Sequence, residues 1–139
     1  MSPRFLLDTN IISEPLRPEP NKRVLENLQA HQEGLTIASV VWHELLFRYN
    51  CLPDSKRKQA IESYLFEVVS PSIAILPYDE NAAQWHAKER ARLASVGRTP
   101  SFADGQIAAI AAINDLSLVT INEADYAGFE DLAIVSWHK

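Results

Sequence analysis

The sequence predicts an α/β fold, a mostly parallel sheet covered by helices, and three observations carry the prediction. Short runs rich in Val, Ile and Leu alternate with longer stretches of helical periodicity, the pattern of strands joined by crossover helices. The chain has 139 residues and is 47% hydrophobic, enough for one compact domain with a real core, so residues 1–139 are read as a single domain. No internal repeat, low-complexity tract or Gly/Ser-rich linker divides it.

Taken in order, residues 4–7 form the first strand, which ends in Asp8-Thr9-Asn10. A short helix begins near Ile11, with Asp8 or Asn10 as its cap. After the bend at Pro15, Pro18 and Pro20, Val24, Leu25 and Leu28 share one side of a helix over 21–30. Residues 35–38 are the second strand, and Ser39 is the expected N-cap of a helix reaching Asn50. Asp54 or Ser55 caps the next helix, in which Ala60, Ile61, Tyr64, Leu65 and Val68 recur until Pro71 closes it. A third strand over 73–76 leads to a helix over 80–95, with Ala83, Ala87, Ala91 and Ala94 as packing residues and Gly97 as its stop. The helix over 101–114 is nearly all Ala and Ile, so it should be the most buried. Strands over 116–120 and 133–135 complete the sheet.

Composition excludes several classes of protein. No apolar stretch approaches the ~20 residues that span a bilayer, and Asp8 and Asn10 interrupt the only early run that could serve as a signal peptide. No membrane association is expected, and the expected compartment is the cytoplasm. The single cysteine, Cys51, rules out an internal disulfide and a thiolate-rich metal site. A net charge of −5 argues against a protein that coats nucleic acid. The cations are bunched, however: Lys56, Arg57 and Lys58 in one run, and Lys88, Arg90, Arg92 and Arg98 in a looser one. Each group is either a solvated helix face or a grip for phosphate.

The chemistry-bearing residues are acids. Asp8 stands where a buried strand emerges at its C-terminal end, the edge at which open parallel sheets bind ligands. Glu44 lies in the helix after the second strand, where the helix dipole alone would favour a carboxylate and where Val40, Val41, Trp42, Leu45 and Leu46 crowd it in sequence. Ser101 and Asp104 have the spacing of a capping box, yet Asp104 and Gln106 are the only strongly polar side chains of their helix before Asn114. Asp125 follows the fourth strand, with Glu123 as the competing acid. Every one of these can be a cap or a surface charge. Gathered at one edge they would need a counterion, and Mg²⁺ or Mn²⁺ accepts a few carboxylates while keeping several waters. Thr9, Ser39 and Thr120, at the same edge, could orient water or a phosphate. His31, His43, His86 and His138 lack the spacing of a metal or acid–base set.

Four segments together resemble a PIN domain, and within it the VapC and FitB type of toxin ribonuclease. They are Leu6-Leu7-Asp8-Thr9-Asn10-Ile11-Ile12-Ser13, Ile37-Ala38-Ser39-Val40-Val41-Trp42-His43-Glu44-Leu45, Asp104-Gly105-Gln106-Ile107-Ala108-Ala109-Ile110-Ala111, and Leu118-Val119-Thr120-Ile121-Asn122-Glu123-Ala124-Asp125-Tyr126. They occur in the family's order and cover essentially the whole chain. The resemblance implies a three-layer α/β/α sandwich and carboxylates binding Mg²⁺ at Asp8, Glu44, Asp104 and Asp125. Thr9, Asn10, Ser39, Thr120 and Asn122 would support them. It also implies endoribonuclease activity on an RNA substrate, a homodimer, and inhibition by a cognate antitoxin. Ile121 departs from the pattern, which commonly has Arg or another polar residue there.

Two other functions would use the same acids differently. In a non-catalytic interaction module the acids would only cap helices. An Asp-dependent phosphatase would want an acid at Asn10, and a phospho-receiver a lysine at Ile121 or Asn122.

Overall fold

The computed structural model describes residues 3–139. Five short strands form one sheet: β1 (Phe5–Leu7), β2 (Leu35–Ala38), β3 (Ala74–Leu76), β4 (Ser117–Val119) and β5 (Ile134–Val135). Every pairing is parallel and the order is β3-β2-β1-β4-β5. Leu6 stands opposite both Thr36 and Leu118, so β1 is central. Leu6, Leu7, Ile37, Leu118 and Val119 are fully buried, because helices cover the sheet. Each strand lies within a residue of its expected bounds at either end.

The helices are α1 (Thr9–Ile12), α2 (Lys22–Ala30), α3 (Ser39–Asn50), α4 (Lys56–Ser63), α5 (Ser70–Ser72), α6 (Glu80–Ser95), α7 (Phe102–Ile113) and α8 (Glu123–Tyr126). A π-helical stretch, Tyr64–Val69, joins α4 to α5, so the chain stays helical through Pro71 and ends one residue later. Ser55, rather than Asp54, caps α4 by accepting from the Lys58 amide. Val24 and Leu28 pack α2 on the core as its periodicity requires. Gly97, at φ +71°, ends α6 in the left-handed conformation: its amide and that of Arg98 bond back to Ala94 and Leu93. As expected, α7 is the most buried helix, with Gly105 and residues 107–111 inside.

Two sequence expectations are corrected. Ser39 is not an N-cap. β2 runs into α3 without a loop, so the strand's last residue, Ala38, occupies the cap position with extended backbone and no capping side chain. In α6 the inward face is Ala82, His86, Glu89 and Leu93, whereas Ala87, Ala91 and Ala94 face solvent. Alanine tolerates either side, and polar His86 and Glu89 go inward because each finds a partner there. Glu89 accepts from both Arg92 and the Glu130 amide, and Arg92 in turn donates to the Gly128 carbonyl. This network ties the segment after α8 to α6.

Candidate active site

The strand order reverses direction beside β1: β2 and β3 extend to one side, β4 and β5 to the other. At such a switch point the connections leave in opposite directions and open a crevice outside the C-terminal ends of the strands. Asp8 immediately follows β1, and Thr120 immediately follows β4. The two side chains meet there, with the Thr120 hydroxyl donating to Asp8 Oδ2 at 2.8 Å.

Asp8 is only 6% exposed. It does cap α1, since Oδ1 accepts from the Thr9 amide at 2.8 Å. Its second oxygen is committed elsewhere. The Tyr126 hydroxyl, from α8, lies 3.4 Å from Asp8 Oδ2 and 3.2 Å from Asp104 Oδ1, so one phenolic proton serves two carboxylates. Burial and the two acids push the Tyr126 phenol far up, which keeps it protonated and a donor.

Asp104 shows why a capping-box spacing misleads. Ser101 caps α7 by accepting from the Asp104 backbone amide at 3.1 Å. The Asp104 carboxylate does not reach back to Ser101. It turns toward Tyr126, and its Oδ2 has no hydrogen-bond partner among the described residues. Glu44 joins through Thr9, whose hydroxyl donates to Glu44 Oε2 at 2.7 Å, while Arg48 holds Oε1 at 2.7 Å. The apolar residues beside Glu44 in sequence do not bury it: its side chain is 42% exposed, because neighbouring positions of a helix point in different directions.

Asp8, Asp104 and Glu44 thus form one electrostatic group. Burial raises the pKa of Asp8. Hydrogen bonds from Thr120 and Thr9 oppose the rise, and the charges of Asp104 and Glu44 add to it. Asp125 is exposed, makes no side-chain hydrogen bond among the described residues, and lines a depression with Arg98 and Pro100. Its rival Glu123 pairs with Lys139 at 2.9 Å. The residue that α8 sends into the crevice is Tyr126. Sequence reasoning missed it, because a tyrosine in a short turn reads as core and only its hydroxyl carries the contact. Asn10 and Ser39 are half-buried and Asn122 is exposed, and among the described residues none of these side chains is hydrogen-bonded. The Thr120 hydroxyl also accepts from the Asn122 amide at 3.0 Å.

The donor set suits a hard cation. It consists of carboxylate oxygens, and among the described residues no Lys, Arg or His side chain bonds to Asp8 or Asp104. No three acidic, imidazole or thiol groups among the described residues form a ready-made ligand cluster. Mg²⁺ does not require one, since it is commonly held by one or two carboxylates and completes its octahedron with water.

Two acids should titrate stability with opposite signs. Asp8 has a raised folded-state pKa, so the folded chain holds its proton more tightly than the unfolded chain does. Its contribution is present below the unfolded value and is lost as pH rises through the folded one. Glu89, held low chiefly by Arg92, contributes stability above its unfolded value and loses it as pH falls through its folded pKa. Denaturant melts of metal-free protein across the carboxylate range should show Asp8→Asn removing the loss on the alkaline side and Glu89→Gln the loss on the acid side. Unchanged slopes would contradict these environments.

The family model described as PIN domain matches residues 5–133. Toxin FitB of Neisseria gonorrhoeae (strain ATCC 700825 / FA 1090) is 34% identical over 137 residues, covering 96% of this chain and 99% of that protein. The tRNA(fMet)-specific endonuclease VapC of Shigella flexneri is 30% identical over 134 residues, covering 96% and 98%. The crystal structure of FitAcB from Neisseria gonorrhoeae contains a chain that superposes with a TM-score of 0.88 at 34% identity, covering 97% of this chain and 99% of that one.

Proposed function

This chain belongs to the PIN domain family, and from that premise we propose that it is a Mg²⁺-dependent endoribonuclease, the toxin of a type II toxin–antitoxin pair. The observation that carries the proposal is the pairing of Asp8 and Asp104 through one tyrosine hydroxyl, at the sheet's switch point, with no cationic side chain among the described residues bonded to either. The relatives named as a toxin and as a tRNA-specific endonuclease support the same reading.

In this proposal Asp8, Asp104, Glu44 and Asp125 hold the ion; Mn²⁺ can substitute. When bound, the ion polarises a phosphoryl oxygen and lowers the pKa of a bound water. The chain's own residues prepare that chemistry. Thr120 and the Thr9 amide fix the Asp8 carboxylate, and the Thr9 hydroxyl fixes Glu44. Asn10, Ser39 and Asn122, whose side chains make no hydrogen bond among the described residues, would offer polar groups to water or phosphate. The expected partners are an RNA substrate, a cognate antitoxin and a second copy of the chain in a homodimer, acting in the cytoplasm. Among the described residues no helix is long and apolar enough to cross a membrane.

Titrating Mg²⁺ into metal-free protein should switch on RNA cleavage and raise the melting temperature together, leaving 5′-phosphate and 3′-hydroxyl ends. Cleavage that persists in excess chelator, or that yields 2′,3′-cyclic phosphate, would overturn the mechanism.

A further inference from the structure

Phe102 opens α7 two residues before Asp104 and is 51% exposed. A lone exposed apolar side chain needs no explanation, but this ring is held in place rather than loose. It packs against His86 at a centroid distance of 4.9 Å and against Tyr78 at 6.3 Å. The Arg90 guanidinium, one turn along α6 from His86, lies over the Phe102 ring, 5.3 Å from its centre. Arg90 is exposed and forms no ion pair among the described residues, although the chain carries 18 acidic residues against 13 lysines and arginines. The shelf shares an edge of the molecule with the acids: Tyr78 follows the C-terminal end of β3 as Asp8 follows that of β1. Residues two apart on a helix have Cα atoms about 5–6 Å apart, less than the reach of one nucleotide.

A fixed, half-open aromatic ring with a guanidinium over it that forms no ion pair among the described residues is a combination that binds single-stranded nucleic acid. A base stacks on the ring and the cation takes the neighbouring phosphate. We propose that Phe102 and Arg90 form a nucleotide-docking shelf that seats a single-stranded RNA base and its phosphate beside the Asp8–Asp104 pair. The inference rests on the nuclease reading and specifies how its substrate is held. An arginine without an ion pair among the described residues, next to a predominantly acidic site, favours a polyanion here, since the acids alone would repel one.

The test uses the full chain in Ca²⁺, whose looser coordination than that of Mg²⁺ supplies charge without the same geometry, and a fluorescent single-stranded oligoribonucleotide read by anisotropy. Phe102→Ala should weaken binding by about 5- to 150-fold, the range for losing one stacked base, and Phe102→Trp should restore it. Arg90→Ala should reduce the slope of log affinity against log salt by about 0.7. In Mg²⁺, Phe102→Ala should raise KM more than it lowers kcat. Circular dichroism and melting of each variant separate these effects from misfolding. Wild-type protein that cleaves RNA while Phe102→Ala matches it in affinity and KM would overturn the shelf alone. Phe102-dependent binding without any cleavage in Mg²⁺ would keep the shelf and overturn the nuclease, and a wild type that neither binds nor cleaves would overturn both. If the variant instead loses only a protein partner or its self-association, the surface is a protein interface and the shelf is likewise overturned.

Discussion

Asp104→Asn should lower Mg²⁺-dependent RNA cleavage by about 10²–10³-fold or more, the scale of losing one preorganised electrostatic group from an active site, while the protein stays folded. The substitution keeps the shape of the side chain and removes its charge. The start of α7 should survive, because Ser101 caps it through the Asp104 backbone amide. Tyr126 also keeps an acceptor, since the amide oxygen can replace Oδ1. What is lost is the anionic oxygen that has no hydrogen-bond partner among the described residues. Because the acids repel one another in metal-free protein, the variant should melt no lower than wild type without metal, and it should gain less on adding Mg²⁺. Cleavage assays paired with melts in chelator and in Mg²⁺ read both effects. Full activity in Asp104→Asn would remove Asp104 from the site.

Gly105→Ala should destabilise the protein by at least about 1–3 kcal/mol, the usual cost of overpacking a filled core, and lower the melting temperature by several degrees. A Cβ at this position would sit 2.0 Å from His86 Nε2 and 2.6 Å from Cδ2. The imidazole has little room to withdraw. It is 1% exposed, bonded through Nδ1 to the Tyr78 hydroxyl at 2.8 Å, and flanked by Phe102. Burial, aided by the charge of Arg90, lowers its pKa and keeps it neutral. With Nε2 buried and without a partner among the described residues, the economical tautomer carries its proton on Nδ1. Any shift of α7 that relieved the clash would move Asp104, the adjacent residue, so cleavage should fall with stability. Combining Gly105→Ala with His86→Ala should cost less than the sum of the two single changes, because the second removes the atoms the first collides with. Strict additivity, or a Gly105→Ala protein as stable as wild type, would contradict this packing.

Much of the fold was legible because each element follows a local rule. All five strands are short apolar runs, and the helices over 21–30, 39–50 and 80–95 have the expected extents because periodicity and breakers are local in sequence. Caps depend on more than local spacing. Asp8 does cap, but also binds Thr120 and Tyr126; Ser101 caps, but Asp104 does not reciprocate; Ser39 does not cap at all. Local spacing shows what a side chain could bond, whereas its actual partner depends on which segment is folded against it.

The candidate site divides in the same way. From residue types and order alone, Asp8 at a strand end and Asp104 on an otherwise apolar helix stand out, because a carboxylate is costly to bury without a partner. Thr120 could be named for the same edge. The sequence contains no strand order, so it could not show that β4 lies directly beside β1 and brings Thr120 onto Asp8 across 112 residues. Nor could it show that Tyr126, not the neighbouring Asp125, is the side chain that α8 directs inward. The sequence by itself determined which residues can carry charge and which segments must be buried. Tertiary structure decided which carboxylates share a proton donor and which remains exposed, because the energy of a charge depends on its solvation and neighbours rather than on its place in the chain.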